Sequence, residues 1–157
     1  QRLNYLAEFN TARPYTYAHF DRISNYANYN QALAHPFGAN FREFVTIWNY
    51  NYKRLELSAK YIFAQYGLNQ NGQNFGKDVF ESYNTRALDY NNVTAQGLKT
   101  DLNFLEASAA IIINPKYNLR LELGGILRSE KNLSTNNQTS IINLGLRSSF
   151  RNLYQDF

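Results

Sequence analysis

YNLRLELGGILRS, residues 117–129, decides how the rest of the chain is read. Tyr117, Leu119, Leu121, Leu123 and Leu127 fall on one parity, and Asn118, Arg120, Glu122 and Arg128 on the other. Successive side chains of a β-strand point to opposite faces, so this pattern predicts a strand with one apolar and one charged face. Five further segments alternate in the same way. Residues 2–12 set Leu3, Tyr5, Ala7 and Phe9 against Asn4, Glu8 and Asn10. Residues 40–52 set Phe44, Thr46, Trp48, Tyr50 and Tyr52 against Glu43, Asn49 and Asn51, with Val45 and Ile47 among the latter. Residues 55–66 place Leu55, Leu57, Ala59, Tyr61 and Phe63 opposite Glu56, Ser58 and Lys60. Residues 98–113 place Leu105, Ala107, Ala109, Ile111 and Ile113 opposite Phe104, Glu106, Ser108 and Ala110, and a bulge there would shift the parity. Residues 139–151 place Ile142, Leu144, Leu146 and Phe150 opposite Asn143, Arg147 and Arg151.

The connections between these strands alternate strictly between long and short. Residues 13–39 form a long loop, Lys53-Arg54 a tight turn, residues 67–97 a second long loop, Asn114-Pro115-Lys116 a turn, and residues 130–138 a polar loop. Unstructured loops of this length are uncommon in compact soluble domains. Outer-membrane barrels, in contrast, combine long extracellular loops with short periplasmic turns. Tyr50 and Tyr52 before one turn and Tyr117 after the other stand where an interfacial aromatic girdle is expected. The fold expected is therefore all-β: an antiparallel transmembrane β-barrel in the bacterial outer membrane, in contact with membrane lipid and lipopolysaccharide. Six strands are fewer than the roughly eight a barrel needs to close, so residues 1–157 read as the C-terminal six strands of a larger one. The absence of Met and of a signal peptide fits a piece of a longer chain. The closing Leu153-Tyr154-Gln155-Asp156-Phe157, with Phe150 upstream, looks like a recognition signal for barrel-assembly machinery.

Composition agrees with that expectation. Thirteen Tyr and eleven Phe stand against one Trp. The mean hydropathy of -0.53 is what strands averaging apolar and polar residues produce. No segment approaches the roughly 18 apolar residues of a membrane-spanning helix. A net charge of +4 is spread without a basic stripe, which argues against a nucleic-acid partner. The lack of Cys removes disulfides, thiolate metal sites and Cys nucleophiles.

Residues 13–43 read RPYTYAHFDRISNYANYNQALAHPFGANFRE. Through Arg13-Pro14-Tyr15-Thr16-Tyr17, His19, Asn25-Tyr26, Tyr29, Leu33-Ala34-His35-Pro36 and Gly38-Ala39-Asn40, this stretch resembles Bacteroidetes outer-membrane barrels of the capsule-assembly (Wzi-like) or gliding-motility type. The resemblance implies a large barrel with a surface role in polysaccharide handling or in motility and secretion complexes, and it brings no catalytic residue.

Within that loop, Arg13, Tyr15, Tyr17, His19, Tyr26, Tyr29, Asn30, Gln31 and His35 are the candidate carbohydrate contacts. Aromatic faces stack on sugar rings, and amides satisfy sugar hydroxyls. Packing of the same rings on one another, with Pro14, Pro36 and Gly38 setting turns, fits equally well. His19 and His35 lack the spacing of a metal site, so no metal or cofactor is expected, and hydrogen bonds to the loop's own backbone are the favoured reading. Ser24, His19 and Asp21 invite a lipase reading, but triad members are brought together by fold rather than by adjacency, so a non-enzymatic role is expected. Glu8, Glu43, Glu56, Lys60, Arg120, Glu122, Arg128, Arg147 and Arg151 form a second set, facing the lumen. Pairing across a filled lumen, with Glu122 meeting an Arg of the last strand, is favoured over a passive porin because buried charges seldom stay unpaired.

Overall fold

The computed structural model describes residues 2–29 and 31–148. Asn30, Phe150, Arg151 and the terminal motif 153–157 lie outside the described residues. Strand β1 (Arg2–Ala12) leads into a loop holding a 3-10 turn, Arg22–Ser24, and a small hairpin of β2 (Ala27–Asn28) and β3 (Gln31–Ala32). Strands β4 (Phe41–Tyr52) and β5 (Leu55–Leu68) follow, then a second long loop with a 3-10 turn at Tyr83–Thr85. The chain continues through β6 (Leu98–Asn114), β7 (Leu119–Lys131) and β8 (Asn136–Arg147). The long strands form one sheet in the order β1-β4-β5-β6-β7-β8, and every neighbouring pair is antiparallel. Strands β1 and β8 are its two edges and do not pair with each other, so the sheet is open among the described residues.

Two boundaries differ from the sequence reading. The last connection is residues 132–135, not 130–138, because Lys131 pairs with Asn136 and the ladder continues from there. The Asn132 side chain accepts the N–H groups of Ser134 and Thr135 at 2.8 and 2.7 Å, which closes the hairpin. Polar residues on both sides had marked this segment as loop, yet strand ends that meet water on both faces need no apolar alternation. The turn before β7 occupies residues 115–118, so Tyr117 sits in it rather than in the strand. A bulge lies between Ile112 and Asn114, leaving Ile113 without a partner. This extra residue shifts the parity of β6 by one, so that Asn114 rather than Ile113 stands opposite Leu119.

The register carries each face unbroken across the sheet. One cross-strand row runs Tyr5, Trp48, Ala59, Ala107, Gly125, Ile142, and the next runs Leu3, Tyr50, Leu57, Ala109, Leu123, Leu144. This face is apolar and most of its large side chains are exposed, Leu144 at 70% and Ile142 at 83%. The opposite face carries rows such as Asn4, Asn49, Ser58, Ser108, Gly124, Asn143. The apolar band is also slanted. Its upper border lies above Phe9, Phe44 and Phe63 on β1, β4 and β5, but Asn103 and Ser129 already occupy that row on β6 and β7, and on β8 Ser140 continues the polar side one row lower.

The buried core sits at the loop end of the polar face, not in the middle of the sheet. Ala12, Ala39, Phe41, Ala64, Tyr66 and Leu102 form it, with Tyr17, Phe37 and Leu68 packed against it. Ala12, Phe41, Ala64, Tyr66 and Leu102 share the polar-face parity, so the long loops fold over this face at one end.

Candidate functional site

The first long loop is built around Tyr15, whose φ of 64° places it in the left-handed region. Its N–H donates to the Gly76 carbonyl at 2.9 Å. Its hydroxyl donates to the Asn74 carbonyl at 2.6 Å and accepts the Ala87 N–H at 3.3 Å. Burial pushes the Tyr15 phenol above its ordinary pKa. Gly76, at φ 81°, has no room for a side chain, since a Cβ there would stand 2.6 Å from the Tyr15 nitrogen. Asn74 braces the second loop from within, its amide donating to the Ser82 carbonyl and the Thr85 hydroxyl while its oxygen accepts the Gly76 N–H. The Ser82 hydroxyl reaches back to the Phe20 carbonyl at 2.8 Å. The two loops are thus one hydrogen-bonded body.

Removing the Tyr15 hydroxyl takes a second hydrogen-bond partner from the Asn74 carbonyl and the Ala87 N–H, which keep only their 2.9 Å bond to each other. Tyr15→Phe is expected to cost about 1–2 kcal/mol in loop stability. Faster hydrogen exchange at the Ala87 amide, with β5 to β7 unchanged, is the measurement that checks it.

Both histidines act inside this assembly. The His19 ring accepts the Asp21 N–H at 3.4 Å and packs 4.3 Å from the Phe20 ring. His35 Nδ1 accepts the Phe37 N–H at 3.2 Å, and its Nε2 lies 3.0 Å from a Glu43 carboxylate oxygen. The His35 ring stacks on Phe41 at 4.4 Å. Asp21 caps the first 3-10 turn through the Ile23 N–H, and Ser24 makes no hydrogen bond with the His19 ring. Tyr17 stacks on Tyr26 at 5.8 Å. Tyr15, Tyr17, His19 and His35 therefore serve loop packing. Tyr26 at 53% and Tyr29 at 94% exposure, together with exposed Arg13 and Gln31, form the open part of the predicted set.

The second loop held no recognisable motif, yet it supplies the residues that fix the site. Asn40 is fully buried, and its amide donates to the carbonyls of Gly67 and Gln96 at 3.1 and 3.0 Å while its oxygen accepts the Gln96 N–H at 3.1 Å. Between the loops lies a hollow of about 570 Å³ lined by His35, Phe37, Leu68, Lys77, Val79 and Phe80 among others. The Lys77 ammonium stands 5.1 Å from the Tyr66 ring centre, and burial pushes its pKa down. The sequence signal for this loop was its four glycines, Gly67, Gly72, Gly76 and Gly97, of which the last three have φ between 74° and 83°.

The charges on the polar face divide into two groups. Glu43 is buried under the first loop, where it accepts the Asn10 amide as well as facing His35, so it anchors a loop rather than lining a lumen. Arg128 pairs with Glu130, which also accepts the Tyr66 hydroxyl. Nearer the short turns, Arg120 pairs with Glu56 at 2.5 Å, and Arg147 meets Glu122 at 3.8 Å, the partnership expected for Glu122. Asn4, Asn49, Asn51, Ser58 and Ser108 complete this trough of about 440 Å³. Lys60 lies 6.0 Å from the Phe104 ring centre, and Glu8 makes no ion pair among the described residues.

The chain matches no protein-family model, no curated protein and no solved structure.

Proposed function

We propose that this chain is a wall segment of a bacterial outer-membrane β-barrel, its C-terminal strands, and that its loops bind or help assemble surface polysaccharide without catalysing a reaction. One observation carries the barrel reading: an exposed apolar face runs without a break across six antiparallel strands, while the opposite face is mixed, carrying all the paired charges of the sheet beside rows such as Leu6, Ile47, Lys60, Glu106, Ile126 and Ile141, and is covered by loops at one end only. In water such a face would be an aggregation hazard, since monomeric soluble proteins rarely expose contiguous apolar patches beyond a few hundred Å². In a bilayer it is the required surface, and the two open edges then call for further strands, because unpaired backbone groups are costly in lipid. The slant of the apolar band fits strands tilted by roughly 35–45° to the membrane normal. Partners on this reading are membrane lipid and lipopolysaccharide, and barrel-assembly machinery during insertion. Intact mass and heat-dependent gel migration of the detergent-extracted protein test it. A native mass of 18.3 kDa with no heat-dependent shift would overturn the barrel.

The polysaccharide role rests on Tyr26, Tyr29, Asn28 and Gln31, which lie exposed around the β2–β3 hairpin, and on the resemblance of residues 13–43 to capsule-assembly barrels. Stacking on a sugar ring contributes about 1 kcal/mol per aromatic side chain, by analogy with aromatic pairs. Tyr26→Ala combined with Tyr29→Ala should therefore weaken binding of surface polysaccharide by about tenfold or more. Unchanged binding, measured on protein that is still inserted, removes this role. A second reading, membership of a motility or secretion complex, is favoured by the apolar side chains at loop surfaces, Ile23 at 91% and Leu133 at 94% exposure. Recovery of stoichiometric protein partners from mildly solubilised membranes would support it over the first.

A further inference from the structure

At the upper border of the apolar face, β6, β7 and β8 enclose a hollow of about 590 Å³. Its lower row is made by Leu105, Leu127 and Ser140, and its upper row by Asn103, Ser129 and Gln138. The Tyr61 hydroxyl donates to the Asn103 side-chain oxygen at 2.9 Å, which orients that amide and leaves its N–H groups available. Ser129, Gln138 and Ser140 spend none of their side-chain donors or acceptors within the described residues. Above the hollow the same face carries Lys99 on β6 and Lys131 on β7, both exposed, with Arg42 two strands away on β4. The one carboxylate among them, Asp101, stands opposite Lys131 and is bound by the Gln65 amide at 2.7 Å. Gln65 in turn accepts from Arg42 at 2.7 Å.

We propose that this hollow is a binding site for a phosphorylated, acylated sugar lipid of the outer leaflet, with acyl chains on Leu105 and Leu127, sugar hydroxyls on the amide and hydroxyl cluster, and phosphate on Lys99 and Lys131. The inference rests on the barrel reading, since that reading puts the face in lipid and the loop end at the cell surface. Strand tilt alone accounts for polar residues at this height on β6 to β8. It does not account for a hollow that is apolar below and rich in unused donors within, under a rim carrying two exposed cations and one already bound carboxylate. A simple anionic phospholipid would need the cations but not the amides and hydroxyls.

The test uses protein purified from its native membrane and titrated, by native mass spectrometry, with diphosphorylated lipid A, with dephosphorylated lipid A and with phosphatidylglycerol. Diphosphorylated lipid A should be retained most strongly, and Lys99→Gln and Lys131→Gln should each weaken it about fivefold. Gln138→Leu should weaken both forms of lipid A and leave phosphatidylglycerol unaffected. Equal retention of all three lipids, or wild-type retention by these variants, overturns the site. Heat-dependent gel migration of the same preparations separates the two levels: a shifting barrel without lipid preference sinks only the site, whereas a chain that never shows the shift sinks the barrel and the site together.

Discussion

Gly67→Ala is expected to release both long loops from the sheet while the six-stranded ladder remains. A Cβ at this position would stand 1.7 Å from the Gln96 carbonyl oxygen and 2.4 Å from the Asn40 amide nitrogen. Neither neighbour can yield cheaply, because the first is backbone and the second is held by its own hydrogen bonds. The Gly67 N–H donates to the Asn40 carbonyl at 3.1 Å, so the backbones are drawn together at the very point where a side chain would intrude. Asn40→Ala attacks the same junction from the other side. It strips the carbonyls of Gly67 and Gln96 of a buried donor, at a cost of about 1–3 kcal/mol for each, while the Gln96 N–H keeps its bond to the Val93 carbonyl. It also forces a side chain less suited than Asn into a left-handed backbone with φ of 58°, which adds about 1 kcal/mol. A total of about 3–7 kcal/mol against the docked loops follows from these two terms. Asn40→Gly removes the backbone strain and keeps the hydrogen-bond loss, so it should fall about 1 kcal/mol short of Asn40→Ala. Hydrogen exchange reads all three variants: the Gly67 and Gln96 amides should lose protection while those in the middle of β5, β6 and β7 keep theirs. Unaltered protection in Gly67→Ala would mean that the loops do not close over the sheet in this way.

This junction also marks the limit of what the sequence made legible. The strands were readable because a half-covered strand writes its faces into alternate residues, and residues 117–129 do so with almost no exception. Even the bulge near Ile113 was signalled by the uneven parity of residues 98–113. The loops obey no such period. Asn40, Asn74 and Gln96 act through single side chains reaching across distant backbone, and their partners follow only from how two loops lie against each other. The histidines were legible as residues that hydrogen-bond the loop's own backbone, as His35 does with the Phe37 N–H, whereas Tyr15 was legible only as distinctive, since an aromatic ring is equally suited to a neighbour and to a ligand. Lys131 to Gln138 misled for the opposite reason: a polar stretch reads as loop when it is a strand end with nothing to bury.

The alternation that made the strands legible also supplies the sharpest test of where the sheet resides. Leu123 lies in the middle of the apolar face, between Ala109 of β6 and Leu144 of β8, and is 53% exposed. If that face meets hydrocarbon, Leu123→Arg puts a cation near the bilayer midplane, which destabilises transmembrane barrels by about 2–4 kcal/mol. If the face meets water, the same change removes an exposed leucine and should lie within about 0.5 kcal/mol of neutral. Asn49→Arg is the matched control, since Asn49 is exposed on the polar face one row from Glu56. Reversible urea unfolding from lipid vesicles measures both variants against the parent protein. A loss of several kcal/mol for Leu123→Arg beside a small change for Asn49→Arg identifies the apolar face as the lipid-facing one. Equal effects would remove the asymmetry on which the membrane reading stands, because two faces that answer a buried charge alike are not in different solvents.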